Sequence, residues 1–194
     1  MERERAQTTR RLRADAARNR DRVLEAAKAV FSAGGAEASL EAVARQAQVG
    51  IGTLYRHFPT RADLIVAVYR HQIADCAAAG LRLLEESSSP FAALTTWVDH
   101  FVDLVATKHG LAEALQSDGA TFAVLHEHFL AHLLPVCDAL LSRAEQEGEI
   151  TGAVTSFELM RGIGNLCIGV GDPSRYEPRR LVALLLSGLR APSP

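Results

Sequence analysis

Apolar residues recur along this chain at the three- and four-residue steps of α-helices, and no pair of strand-like runs is joined by a turn signal. From about Arg18 to Ala33, the residues Val23, Ala27, Val30 and Phe31 share one face, and Gly34-Gly35 is placed to stop the helix with a left-handed cap. Leu40, Val43, Ala44 and Ala47 then form a second face, with Ser39 positioned to accept from a free first-turn N–H. A break at Gln48-Val49-Gly50 leads into a short helix from Ile51 to His57, where Leu54 and Phe58 point back at its predecessor. Pro59 disfavours helical geometry at Phe58 and ends that helix. Thr60 caps the next one, with Asp63 in its first turn where negative charge is favoured.

The rest of the chain follows the same rule. A helix from Arg61 to about Glu86 carries Leu64, Val68, Ile73, Leu81 and Leu84, and Ser87-Ser88-Ser89-Pro90 is a loop. Leu94, Val98, Phe101, Val102 and Val105 predict a helix from Phe91 to Thr107, broken at Lys108-His109-Gly110 and followed by a short one from Leu111 to Gln116. After a turn at Ser117-Asp118-Gly119, a long helix from Thr121 to Glu147 is expected to bend or divide at Pro135. Gly148 to Gly152 is a loop, and Phe157 to Val170 is a glycine-dotted helix stopped by Gly171-Asp172-Pro173. The stretch from Leu181 to Leu189 is apolar almost all round. The fold class is therefore all-α, with about nine helices.

Thr53, Tyr55, Arg56 and His57 lie on faces of the Ile51–His57 helix that the core does not use. Two short helices joined by a tight turn, the second with polar tips outward, suit a helix-turn-helix that reads DNA. The run Val49-Gly50-Ile51-Gly52-Thr53-Leu54-Tyr55-Arg56-His57-Phe58-Pro59-Thr60-Arg61 resembles the recognition-helix signature of TetR-type repressors, and the likeness extends back to about Arg18. Gly52, Thr53, Leu54, Tyr55, His57, Phe58 and Arg61 fall where that signature expects such residues. Gln48 departs from it, standing where a glycine usually makes the left-handed turn, a conformation that a non-Gly residue adopts at a cost of roughly 1 kcal/mol. Gly50 replaces the usual hydroxyl cap, and Ile51 an often polar residue.

Charge sharpens this picture. Residues 1–70 hold 13 Lys/Arg against 8 Asp/Glu, a net of +5, and residues 71–194 hold 8 against 15, a net of −7. A basic head on an acidic body suits a chain that presents one end to a polyanion. The expected organisation is a basic flexible arm over residues 1–16, a helix-turn-helix head over 17–62, and a helical effector-binding and dimerisation body over 63–194. The arm, with Arg3, Arg5, Arg10, Arg11 and Arg13, reads either as a solvated tail or as a reach toward DNA phosphates or the minor groove. No uninterrupted apolar run approaches the roughly 18 residues needed to span a bilayer, and the Arg-rich start is no secretory signal. Cys76, Cys137 and Cys167 lack CxxC spacing and read as reduced, buried residues of a cytoplasmic protein.

No catalytic constellation emerges, so no enzyme and no cofactor is expected. In His126-Glu127-His128-Phe129-Leu130, Leu130 occupies the place where a metalloprotease string needs its second histidine. His128 and His132 lie one turn apart, and with Cys137 they support an alternative reading as a metal or redox sensor. For DNA, Thr53, His57 and Arg61 are expected on phosphates, and Tyr55, Arg56 and the Ile51-Gly52 tip on bases, with Ser39 at the edge of the interface. The resemblance further implies a palindromic operator, a homodimer and a small-molecule effector bound in the body. Candidates for the effector wall, which taken singly read first as core packing, are Trp97, Phe101, Leu104, Phe122, Phe129 and Leu133, with His100, His126 and Asn165 as orienting polar groups. The all-round apolar C-terminal segment places Leu181, Leu185 and Leu189 in a two-fold interface, with Gly162 and Gly164 letting the backbones approach.

Overall fold

A computed structural model of the full chain describes residues 1–34, 38–115, 119–152, 154–168 and 176–191. Side chains are not described at 2–6, 8–14, 16, 34 and 107–120 even where the backbone is helical. Among the described residues there are eight helices: α1 Glu2–Gly34, α2 Leu40–Gln46, α3 Ile51–His57, α4 Arg61–Glu86, α5 Pro90–Leu115, α6 Gly119–Gln146, α7 Ser156–Leu166 and α8 Pro178–Ser187. The only extended pairing among them is one antiparallel bridge between Ile150 and Arg190.

Several helix bounds differ from the sequence expectation. Helix α1 begins at Glu2, not near Arg18, so residues 2–16 continue the helix. They contain no Gly or Pro and are rich in Arg, Ala and Glu, which propagate a helix without any apolar stripe. Helix α5 passes through Lys108-His109-Gly110 without a break, merging two expected helices into one. One glycine costs a helix about 1 kcal/mol and does not end it. Helix α6 is likewise continuous through Pro135. Helix α7 stops at Leu166 with Cys167 as its C-cap, and α8 starts three residues earlier than expected with Pro178 in its first turn, a position that needs no N–H. The expected glycine stops at Gly35 and Gly171, and the turn at Ser117-Asp118, lie outside the described residues.

The chain forms two compact units, Met1–His71 with Gly110–Ser117, and Gln72–His109 with Asp118–Pro194. They divide within α4 at His71/Gln72, where the sequence expectation set the boundary near residue 62. In the first unit Val23, Leu24, Ala27, Phe31, Leu40, Val43, Leu54, Phe58, Leu64 and Val68 are buried, so α1 to α3 and the start of α4 share one core. Within it Tyr69 is buried and desolvation raises its phenol far above the usual range.

In the second unit Trp97, Phe101, Phe129, Leu133, Leu140, Leu159 and Ile163 form the core. Polar stitches close it. Glu149 Oε2 accepts from the Phe91 N–H at 2.5 Å and the Ser89 hydroxyl at 2.9 Å, fastening the start of α5 to the loop after α6. The segment after α8 joins the same loop: the Thr151 N–H donates to Leu189 O and the Ala191 N–H to Glu149 O, both at 3.0 Å, while Arg190 lies over the Phe91 ring. Arg179 of α8 reaches Asp99 at 3.0 Å and Asp103 at 2.5 Å on α5. Leu81, expected inside, is 54% exposed. One described helix, Thr121–Gln146, is long and apolar enough by length and composition to cross a membrane, which a search for uninterrupted apolar runs misses. Its stripe of Leu125, Phe129, Leu133, Cys137, Leu140 and Ala144 is buried in the second unit.

Candidate nucleic-acid interface

The geometry of α2 and α3 is set by local chemistry. Ser39 takes the extended backbone of an N-cap and accepts from the Ala42 N–H at 3.1 Å. Leu40, Val43, Ala44 and Ala47 are all buried, as their spacing requires. The turn then uses Gln48 at φ 55°, a left-handed conformation in a residue with a Cβ. Arg22 of α1 offsets that strain. Its guanidinium donates to Ala47 O at 2.6 Å and to Gln48 O at 3.4 Å, placing positive charge at the C-terminal end of α2. Sequence reading missed Arg22, because its partners lie 25 and 26 residues away.

Helix α3 starts from Gly50, whose backbone is extended and whose missing side chain provides no cap bond. Leu54 and Phe58 are buried and fix the helix against the core, and Arg20 of α1 lies 5.7 Å over the Phe58 ring. Ile51, Gly52, Tyr55 and Arg56 are exposed, and Thr53 and His57 are half-buried. Ile51 is 39% and Tyr55 45% exposed, although both carry large apolar surfaces. A Cβ added at Gly50 or Gly52 would meet nothing within 4 Å. Glycine at 52 is therefore not demanded by packing within the chain, and helices disfavour it. It leaves a bare backbone patch at the tip of an exposed helix.

Phe58 closes α3, and Thr60 opens α4 with a reciprocal box. The Thr60 N–H and hydroxyl both donate to Asp63 Oδ2, at 3.0 and 2.7 Å, and the Asp63 N–H donates to the Thr60 hydroxyl at 3.1 Å. Arg61, expected on a phosphate, donates from Nη1 to Ala38 O at 2.7 Å. It thereby holds the segment that carries the Ser39 cap. The structure brings Ser39, Ile51, Gly52, Thr53, Tyr55, Arg56, His57 and Arg61 onto α2, α3 and the start of α4 within one unit.

The candidate effector residues are distributed differently. Trp97 stacks on Phe101 at 5.6 Å, Phe101 meets Phe129 at 5.7 Å, and Phe129 stacks on His126 at 6.1 Å. Leu104 and Leu133 are buried and His126 is half-buried. His100, Asn165 and Phe122 are exposed. None of the nine lines the surface cleft of about 300 Å³ formed by Leu83, Glu85, Ser87, Pro90, Arg143 and Glu149 among others. The His128 and His132 rings lie 3.9 Å apart, and His132 Nδ1 is 2.8 Å from His128 O. Cys137 and Cys76 are buried, and desolvation pushes both thiols up to about 12, with Asp138 and Asp75 adding to it. At neutral pH such a thiol stays protonated, so burial lowers its reactivity. Cys167, expected inside, is only half-buried.

In the proposed interface between copies, Leu181 is half-buried, Leu185 is 37% exposed and the neighbouring Leu184 is 61% exposed. Leu189 is 8% exposed within its own chain, because Val182, Leu186 and Leu189 form the inner stripe of this segment. Phe157 and Ile168 are also more than half exposed. A Cβ at Gly162 would sit 3.8 Å from Leu185 Cδ2, and one at Gly164 would meet nothing.

Comparison with known proteins gives family matches over both parts of the chain. Residues 23–68 match the description "Bacterial regulatory proteins, tetR family" and residues 89–191 match "Transcriptional regulator SbtR-like, C-terminal domain". The solved TetR transcriptional regulator SCO0520 from Streptomyces coelicolor is 36% identical, with a TM-score of 0.77, covering 90% of this chain and 99% of that one. A TetR regulatory protein from Mycobacterium vanbaalenii is 34% identical, with a TM-score of 0.73, covering 93% and 99%. The repressor KstR of Mycolicibacterium smegmatis is 30% identical over 133 residues, 68% of this chain. The chain spans 65% of the length of that curated relative.

Proposed function

The chain belongs to the TetR family of bacterial transcriptional regulators, and from that premise we propose that it is a ligand-responsive repressor. In this reading it binds a palindromic operator as a homodimer in the cytoplasm, and a small-molecule effector held in the second unit releases it. The observation that carries the reading is the outer face of α3. Tyr55, Arg56 and Ile51 stand exposed beside the open backbone of Gly52, on a helix whose other side is pinned by Leu54 and Phe58.

Arg56 is assigned the base contact, since an exposed guanidinium pairs bidentately with a guanine edge in the major groove. Tyr55 and Ile51 supply apolar contact to a thymine methyl, and Thr53 and His57 supply phosphate contacts. Arg61 contacts phosphate from its Nη1-anchored position, so its loss also loosens Ser39. Helix α4 runs unbroken through both units and is the element through which an effector would act on the head. No chemical step is assigned to the chain.

Arg56→Ala tests the central claim. It is expected to cost about 1–3 kcal/mol of operator affinity and to relax preference at one position of each half-site, read by titration against single-base operator variants. An equal loss across all variants would make Arg56 a phosphate contact.

A further inference from the structure

Gln72 stands on the inner stripe of α4, between Val68, Tyr69 and Ile73 and, one turn on, Cys76, all of them buried. It is 5% exposed, and its Oε1 has no hydrogen-bond partner among the described residues. Burying an acceptor without a donor is costly, and most buried polar side-chain atoms avoid it. Such an atom, like the buried Tyr69 hydroxyl one turn before it, calls for a partner that the described residues do not provide.

Its surroundings within the second unit follow from the register of α4 against α5. The loop between them is only residues 87–89, so α5 runs back along α4. The Trp97 Nε1–H donates to Cys76 O at 3.1 Å, and a Cβ at Gly80 would lie 2.8 Å from Trp97 Cδ1 and overlap Val136. If the antiparallel course set at Cys76 and Trp97 continues, the turn from Cys76 back to Gln72 is matched by the turn from Trp97 forward to Phe101. Phe101 stacks on Trp97 on one side and meets Phe129 on the other. The donor of this aromatic wall, Trp97 Nε1–H, is already spent on Cys76, and the phenyl rings have none.

We propose that Gln72 Oε1 is the polar anchor of the effector site, facing a wall of Trp97, Phe101 and Phe129. The ligand class this selects is a neutral, mainly apolar molecule bearing one hydroxyl or N–H donor. A neutral amide recognises a neutral group, and the rings stack on or pack against an apolar body. The inference rests on the reading of the second unit as effector-binding.

Menthol and menthone test it, since they share a ring skeleton and differ in whether the oxygen carries a donor hydrogen. Trp97 is the single tryptophan of the chain, so its emission reports binding beside Phe101, and calorimetry gives the two affinities. Menthol is expected to change Trp97 emission and to bind about tenfold more tightly than menthone, the worth of one buried hydrogen bond. Gln72→Leu and Gln72→Met are expected to equalise the two ligands and to keep or raise the melting temperature, because an unsatisfied oxygen is removed. Equal affinities in the wild type, a preference that survives in both variants, or no menthol binding up to its solubility would each overturn the proposal. So would a fall in melting temperature in both variants, which would show that the chain itself uses Gln72. Operator titration with menthol bound separates the two readings: preferential binding that leaves operator affinity unchanged keeps the Gln72 anchor and removes its role as an effector site.

Discussion

At the scale of single residues, the clearest signals are those that the fold does not require. Gly52 has open space where a Cβ would stand, so packing among the described residues does not require glycine there, and its proposed role is close approach to DNA. Gly52→Ala is therefore expected to leave the head folded, with stability equal or higher by up to about 1 kcal/mol. Operator affinity should nevertheless fall at least tenfold, about 1.4 kcal/mol, as the methyl group blocks close approach. Thermal melts and operator titrations on one preparation check both halves, and a Gly52→Ala variant with full affinity removes α3's tip from the interface. The cysteines make a second test. With Cys76 and Cys137 pushed up to about 12, their thiolate fraction at pH 8 is about one in ten thousand, and only Cys167 is partly exposed. A thiol reagent should modify one cysteine in the native protein, and none in Cys167→Ser.

At the scale of elements, caps explain why short helices hold their ends. Helix α7 begins with a reciprocal box in which the Glu158 N–H donates to the Thr155 hydroxyl at 3.2 Å. In return, the Thr155 N–H and hydroxyl donate to Glu158 Oε2 at 2.9 and 2.7 Å. Those bonds from Thr155 hold the Glu158 carboxyl below its usual range. A folded-state pKa below the unfolded one gives stability that is complete above the unfolded value and lost as pH falls through the folded one. Thr155→Ala is expected to cost about 1 kcal/mol in a urea titration at neutral pH. The difference between variant and wild type should shrink once acid protonates Glu158; a difference that stays constant into strong acid would remove the carboxylate's part in the cap. Helix α2 shows the complementary case, where the stabilising charge at its end, Arg22, comes from another helix.

At the scale of the whole molecule, one surface of the second unit is apolar without being covered by its own chain. Phe157 and Leu184 are 52% and 61% exposed, on helices α7 and α8 that pack together with Leu185 against Gly162. A second copy related by a two-fold axis would bury this surface and present two recognition helices to successive major grooves. Leu184→Glu is expected to sediment as a monomer and to lose specific operator binding while its helical signal and the head's fold persist. A dimeric Leu184→Glu protein would move the interface elsewhere. Leu184 is the sharper site than Leu185, since it is 61% exposed against 37%.

What the chain determines by itself is whatever acts within about one helical turn. The Ser39 and Thr60 caps, the Leu40–Ala47 face, the left-handed turn at Gln48 and the span of α3 are legible because each donor, acceptor or apolar neighbour lies within a few residues. The same locality explains the errors. Gly110 is a local breaker, but a helix that buries a long stripe absorbs the cost of one such residue, and α6 likewise stays undivided at Pro135. Tertiary structure alone decided the rest, because the partners stand far apart along the chain. Arg22 finds Ala47 across 25 residues, Glu149 finds Phe91 across 58 and Arg179 finds Asp99 across 80. It also decided which aromatic rings meet, which of Leu184 and Leu189 faces outward, and that Gln72 is sealed inside with an oxygen unspoken for. A polar residue on an apolar stripe was visible in the sequence; only packing shows whether it is satisfied.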